Sequence, residues 1–422
     1  MAFKQHGREY DIVVFGATGY TGRLTAEHIA QHLPTNLKWA VASRSESKLQ
    51  DLVNDCNKVN SDRPPPSVEV ADINNDEQVH ALAKKTFILI TTVGPYTLYG
   101  EHMFRACAES GTHYLDVTGE VPWVAKMIKK YEKTAKRTGA LMLPQIGIES
   151  APPDMCTWLM AKHIRETFGA KTKDVTMSIH KLSSKPSGGT LATVLAVFDT
   201  FSLGELKTAF EPYALSPIAH PEPTRQSTSF LTKIFGVVTV PHLGLLTTSV
   251  AASTDGAMVE RSWGLLAEAP SRKEEFYGPN FTWSEYYRTR SWLHGIALHW
   301  GLIIGATFLA LVPPLRPLIK RFVFQPGEGP ERDHASKDEI EYRGIANPDT
   351  GVPTGKQAHC RARYQGSMYF LSGLFLAQAA LTILEDDLEL DGGVWTPACL
   401  GQGFIDRSHG VGFNIELKTV DV

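Results

Sequence analysis

Three glycines, Gly16, Gly19 and Gly22, punctuate the stretch D-I-V-V-F-G-A-T-G-Y-T-G at positions 11–22 at equal spacing. That pattern suits a backbone that must approach a diphosphate. The first glycine permits a tight turn, the second leaves no Cβ in the ligand's path, and the third lets a helix pack closely on the preceding strand. Ala17, Thr18, Tyr20 and Thr21 fill the intervals, and the amides opening the helix would face the phosphates. A second group lies at Ser43-Arg44, where a guanidinium occupies the place at which an acidic residue would hold a ribose 2′-hydroxyl. A planar cation there suits a 2′-phosphate, so NADP is expected in preference to NAD. The third is Val93-Gly94-Pro95-Tyr96, a sharp exit from an apolar run, expected beside the nicotinamide. Tyr96 is the hydroxyl best placed to donate a proton, with packing or stacking beside the ring as the alternative.

Regular elements must hold these groups. The apolar run Ile12, Val13, Val14, Phe15 reads as a buried strand, and Leu24, His28, Ile29 and Leu33 recur at helical spacing behind the glycines. Further short apolar runs at 37–42, 68–70, 87–90, 114–117 and 141–143 alternate with helical segments. Such alternation predicts a parallel sheet covered on both faces, a Rossmann-type doubly wound α/β fold. Asp72, after the third strand, would either accept from an adenine amino group or cap the helix around 78–83. Asp116 inside a strand is expected to be hydrogen-bonded support, with organisation of the crevice as the alternative.

Composition limits the remaining functions. A chain of 422 residues with a formal net charge of −3 has no polyelectrolyte character, so no nucleic-acid partner is expected. Five scattered cysteines without a C-x-x-C pair point to a reducing, intracellular setting, and His220 and His242 lack metal-ligand spacing, so no metal is expected. The amino terminus shows no apolar signal core.

The blocks G-A-T-G-Y-T-G, A-S-R-S-x-x-K-L, V-G-P-Y-x-x-Y-G, H-Y-L-D-V-T-G-E and G-I-E-S-A-P-P-D-M, followed in order by S-G-G-T-L-A-T, P-G-E-G-P and G-G-V-W-T-P-A, resemble the saccharopine dehydrogenase-like oxidoreductases nearly end to end. The resemblance implies an NAD(P)-binding domain followed by a mixed α/β domain over the nicotinamide. It also implies kinship with trans-acting enoyl reductases and with members found on lipid droplets and membranes. It places the nucleotide loop on residues 16–22, the ribose-side cation on Arg44, the nicotinamide-side loop on residues 93–96, and the crevice wall on Asp116 and residues 147–154. Glu149 departs from the aspartate that relatives commonly carry in this block.

Downstream, Ser187-Gly188-Gly189-Thr190 opens an apolar helix, either as a second anion-holding start or as an ordinary cap. Residues 293–312 form a twenty-residue stretch without a formal charge, flanked by Tyr286, Tyr287 and Trp292 before and by Pro313, Arg316, Lys320 and Arg321 after. About 30 Å of helix is enough to enter a hydrocarbon core, so a membrane or lipid-droplet surface is expected, with a buried helix as the alternative. Residues 326–353 read in part as a mobile surface loop, and 366–385 as a buried helix. The expected domains are 1–150 for nucleotide binding, 151–385 for a mixed α/β substrate domain holding 293–312, and a 386–422 segment packing back on the first. The sequence thus predicts an NAD(P)-dependent oxidoreductase acting on a hydrophobic substrate, or an enoyl reductase, or a non-catalytic nucleotide-binding lipid-droplet protein. Self-association as a homodimer is also expected. Saccharopine itself is not expected as substrate, because no cluster of arginines stands ready for its carboxylates.

Overall fold

A computed structural model describes residues 3–184, 188–222, 229–312, 314 and 331–422. Ser187 and the flanking Pro313, Arg316, Lys320, Arg321 and 326–330 lie outside the described residues.

The first third alternates as its sequence predicts. Strands β1 (Tyr10–Phe15), β2 (Trp39–Ser43), β3 (Ser67–Val70), β4 (Thr86–Thr91), β5 (His113–Asp116) and β6 (Leu141–Leu143) alternate with helices α1 (Tyr20–His32), α2 (Glu46–Val59), α3 (Asp76–Lys85), α4 (Tyr96–Ser110) and α5 (Val121–Thr138). All six strands pair in parallel in the order β3-β2-β1-β4-β5-β6. The order reverses on either side of β1, which opens a crevice at the carboxyl ends of β1 and β4. Every residue of β1 is buried. Ile12 and Val14 enter one core with Ile29 and Leu52, while Val13 and Phe15 enter the other with Val79, Met103 and Phe104. Successive side chains point to opposite faces, so a strand with helices on both sides must be apolar throughout.

Beyond β6, α6 (Ala151–Phe168) leads into a second sheet built from β7 (Lys171–Leu182), β8 (Val237–Val240), β9 (Gly244–Thr248), β10 (Thr282–Arg288), β11 (Glu339–Asp349), β12 (Lys356–Gln365) and β14 (Asn414–Asp421). Their order is β14-β12-β11-β7-β10-β9-β8, with β7 and β10 parallel and the other pairs antiparallel. Helix α7 (Gly188–Thr200), α8 (Leu203–Ala209), α9 (Phe230–Phe235), α10 (Ala252–Glu268) and α11 (Trp292–Leu311) fall between these strands. The fold is therefore a doubly wound parallel sheet joined to a mixed α/β unit.

The chain then divides its last fifth differently from the expected boundaries. Helix α12 (Met368–Glu385) is buried along almost its whole length. Its Gly373 lies so close to α1 that a Cβ would stand 3.1 Å from the Thr25 amide nitrogen, so this helix belongs to the face of the first sheet rather than to the second domain. Strand β13 (Gly393–Val394) adds to the first sheet beside β6, whereas β14 returns to the second sheet beside β12. The 386–422 segment therefore serves both units. Within 326–353, read in part as a surface loop, Glu339–Asp349 is a long strand, with Ile340 and Tyr342 turned into the core and Glu341 and Arg343 to the opposite face. Its alternation is masked in sequence by the charged residues on that second face.

Candidate functional site

The glycine loop has the division of labour that its spacing implies. Gly16 adopts φ +79°, and a Cβ there would meet the Val93 side chain at 2.6 Å. Gly22 is the close-packing position, because a Cβ would stand 2.3 Å from the Gly16 carbonyl oxygen and 2.9 Å from the Ala17 Cα. At Gly19 the nearest contact would be the same carbonyl at 3.3 Å, leaving its outer side open. Gly19 is the N-cap of α1 and no side chain caps that helix. First-turn amides without a side-chain acceptor suit an anion supplied from outside. These features fit a dinucleotide diphosphate, with residues 16–22 as its cradle.

At the end of β2, Ser43 is buried and its Oγ accepts from the Ser45 amide at 3.3 Å. Arg44 is exposed and has no hydrogen bond or ion pair to any described residue. An ordered turn thus presents an uncommitted guanidinium beside the crevice. Asp72, at the exit of β3, accepts from both the amide and the side chain of Asn74 at 2.9 and 3.0 Å. The cap of α3 is Asn75, not Asp72, because the Asn75 side chain accepts the Gln78 amide. Asp72 shapes the turn before that cap.

The loop 91–96 is tied to the glycine loop by Thr92, whose Oγ donates to the Gly16 carbonyl at 3.2 Å. Val93, Gly94 and Pro95 face the crevice side of this turn with some exposure, but Tyr96 does not. Tyr96 is only 4% exposed, its hydroxyl donates to the Thr91 carbonyl at 3.0 Å and accepts the Val117 amide at 3.4 Å. Burial, then the Asp116 charge, holds its phenol well above the ordinary tyrosine range. The proton-donor expectation for Tyr96 is corrected by this geometry: the hydroxyl pins the β4 and β5 exits to each other and points away from the crevice. Its ring packs beside Trp123 at 5.5 Å.

Glu120 is the residue that the sequence left unassigned here. Its carboxylate accepts the Tyr96 and Thr97 amides, both at 2.7 Å, and also the Thr97 hydroxyl, which caps α4 from another loop. Asp116 is fully buried and supportive, as expected, taking the Tyr114 hydroxyl at 2.7 Å and the Thr118 and Gln145 amides at 2.9 Å. Burial raises its carboxyl to about 7 against those donors.

Asp255 lies within electrostatic reach of two carboxyls from distant segments, Glu149 and Glu285, and of the three only Glu149 is exposed. Glu149 comes from the β6 exit loop, and a Cβ on Gly119 would stand 2.0 Å from its Oε2. Solvent reaches Glu149, yet the surrounding walls are close enough that burial raises its carboxyl. Asp255, in the first turn of α10, is completely buried and receives no hydrogen bond at either oxygen. Glu285 on β10 accepts the Ser249 hydroxyl at 2.7 Å through one oxygen and has no donor for the other. Burial lifts Glu285 to about 7, and burial together with Glu285, then Glu149 and Asp154, holds Asp255 well above the ordinary carboxylate range. Two ionised carboxylates cannot donate to each other, so the contact between Asp255 and Glu285 retains a proton shared by the pair. Among the described residues no group of three His, Cys, Asp or Glu side chains is arranged to hold a metal. A sequence signal existed in T-W-S-E-Y-Y, where Glu285 shares its strand face with Trp283 and Tyr287, but Asp255 among small residues gave none.

The second domain does bring two arginines together, contrary to the impression left by the sequence. Arg361 and Arg343 both engage Glu341 on the face of the second sheet away from its core, which cancels much of their charge.

A family model of the saccharopine dehydrogenase NADP binding domain matches residues 12–143. The chain is 30% identical over 425 residues to a putative trans-acting enoyl reductase of Mycobacterium tuberculosis, covering 97% of both chains. A trans-acting enoyl reductase of Mycobacterium ulcerans is 28% identical over 95% of this chain and 96% of its own. Among solved structures, the glutamate-forming saccharopine dehydrogenase of Saccharomyces cerevisiae aligns with a TM-score of 0.50 at 12% identity, over 97% of this chain and 99% of that one. The likeness to that structure is one of fold.

Proposed function

The chain belongs to the saccharopine dehydrogenase-like family of NADP-binding oxidoreductases, and on that premise we propose that it uses NADPH to reduce a hydrophobic, lipid-like substrate at a membrane or lipid-droplet surface. The preference for NADPH over NADH is carried by Arg44, exposed and uncommitted at the tip of β2, with Lys48 exposed nearby in the first turn of α2. Residues 16–22 would hold the diphosphate, and residues 93–95 would border the nicotinamide. When bound, NADPH supplies a hydride. The protein's part is to orient the acceptor, exclude water and deliver a proton.

A lipid-like substrate is favoured by the outer surface of the second domain. Of the twenty residues of α11 only Gly295 and His299 are buried, and both anchor the helix. A Cβ on Gly295 would meet Val237 at 2.8 Å, and His299 lies against Gly236 with Nδ1 2.7 Å from the Thr248 hydroxyl. The remainder presents Ile303, Ile304 and Phe308 outward, while neighbouring α9 presents Phe230 and Leu231. Among the described residues α11 and α12 are both long and apolar enough to cross a membrane, but α12 is core. An anchored base with an uncovered apolar shaft suits shallow insertion from one leaflet better than a span, since both flanks belong to one folded unit.

Reduction of a carbon–carbon double bond conjugated to an acyl thioester is the reaction class favoured by the names of the mycobacterial relatives. The test is oxidation of NADPH by the purified chain with trans-2-decenoyl N-acetylcysteamine thioester and shorter homologues, with and without phospholipid vesicles. Turnover rising with acyl length and vesicle flotation lost on Ile304→Lys/Phe308→Lys are expected. Tight NADPH binding without oxidation at any chain length would instead support a nucleotide-binding protein without turnover.

A further inference from the structure

We propose that Glu149 is the catalytic acid of this reduction, giving its proton to the substrate atom made electron-rich by the arriving hydride, with Asp255 and Glu285 behind it as a proton-holding pair. The inference rests on the reductase reading above and adds the donor that Tyr96 cannot be.

Glu149 leaves the carboxyl end of β6, and its Oε2 occupies the space over Gly119 where any Cβ would collide at 2.0 Å. The carboxyl therefore hangs between the exits of β5 and β6, on the edge where open α/β sheets bind their ligands. Among the described residues no side chain or amide donates to it, and solvent reaches it. The other titratable groups within electrostatic reach of Glu149, Asp255 and Glu285 are Asp154 on α6, Tyr287 on β10 and Tyr342 on β11. None is cationic, and no described lysine or arginine forms an ion pair with Glu149, Asp255 or Glu285. An independent observation is Asp255 itself, with no exposed surface and no donor to either oxygen. Such a group is tolerated when it keeps its proton. The surroundings therefore favour neutral carboxyls, and of the three only Glu149 is open to a substrate.

In the step, the hydride adds to one end of the substrate double bond and its electron pair moves to the other end. The Glu149 O–H bond breaks as a C–H bond forms there, or an O–H bond for a carbonyl. Glu149 is left as a carboxylate and recovers a proton from solvent, so the sum is substrate, NADPH and one proton giving product and NADP+.

Oxidised nicotinamide carries a positive charge that the reduced ring lacks, so a protonated carboxyl beside it loses its proton when NADP+ binds and keeps it when NADPH binds. Both nucleotides carry the same 2′-phosphate, which cancels in the difference. The full chain is titrated calorimetrically with NADP+ and with NADPH at pH 6 to 7.5 in two buffers of different ionisation heat. Wild type is expected to release more protons with NADP+; Glu149→Gln abolishes the excess, Glu149→Asp keeps it, and both leave Tm unchanged and the NADPH Kd within about twofold. With the decenoyl thioester, Glu149→Gln lowers kcat by about 100-fold or more at unchanged KM for NADPH, and Glu149→Asp recovers most of it. An equal proton excess in wild type and Glu149→Gln, or none in wild type that binds both nucleotides, overturns the assignment alone. Failure of wild type to bind either nucleotide overturns the cofactor reading and this assignment with it.

Discussion

Arg44→Ala separates the two pyridine nucleotides, and its size follows from the setting of the side chain. Arg44 is exposed at the end of β2 and has no described partner, so its removal breaks no internal contact. The unliganded stability is expected to stay within the range of ordinary surface substitutions, about ±0.5 kcal/mol. A charge-assisted contact from guanidinium to phosphate contributes about 1.5–3 kcal/mol, which is roughly 10- to 150-fold in Kd. NADH has no 2′-phosphate and should lose less than about threefold, the residue of any stacking on adenine. Fluorescence titration of wild type and variant with NADPH and NADH, each at low and high salt, reads the difference. The wild-type advantage for NADPH should shrink with salt, as an exposed ion contact is screened within about 10 Å at 0.1 M. Equal weakening of both nucleotides, or a fall in Tm without nucleotide, would refute the 2′-phosphate role and make Arg44 a structural residue.

Two glycines in the same loop should fail differently. Gly22→Ala forces a Cβ to within 2.3 Å of the Gly16 carbonyl, so it should cost about 1–3 kcal/mol of stability as well as nucleotide affinity. Gly19→Ala meets nothing closer than 3.3 Å and should leave Tm nearly unchanged while weakening NADPH; a matched loss of Tm in both would place Gly19 in the packing rather than the cradle. Stability should also depend on pH with opposing slopes. Burial raises Asp116, Asp154 and Glu285 to about 7, so the folded chain holds their protons more tightly than the unfolded chain. Their contribution is complete below the unfolded carboxylate range near 4 and is lost as pH climbs to 7. Burial lowers His28 and His113 to about 3, so their contribution is present above 6.5 and is lost as pH falls towards 3. The slopes offset between about 4 and 6.5, leaving the carboxyl loss on the alkaline side. Glu285→Gln should therefore narrow the Tm difference between pH 5 and 8, and an undiminished difference would show Glu285 to be ionised throughout.

Much of the nucleotide half was legible because its determinants are local. A strand buried on both faces must be apolar at consecutive positions, as Ile12 to Phe15 are, and the tight turn behind it needs glycine where φ is positive. Helix α11 was legible as an apolar cylinder, but length and hydropathy could not say whether protein or another medium covers it. Helix α12 is as apolar on average and is buried along almost its whole length. The strand at Glu339–Asp349 escaped notice because one face carries glutamate and arginine that neutralise each other across the sheet, which in one dimension reads as a charged loop.

By itself the sequence determined the parallel α/β unit, the glycine turn after β1 and the exposed arginine at the tip of β2, since each depends on neighbours within a few residues. Only the tertiary structure decided that the Tyr96 hydroxyl turns inward to two backbone groups, that Glu120 caps a helix from another loop, and that Asp255 and Glu285 meet in the interior within electrostatic reach of Glu149. The reason is physical: a carboxyl's protonation and a hydroxyl's direction are set by what surrounds them in space, and those surroundings come from segments that spacing along the chain does not connect.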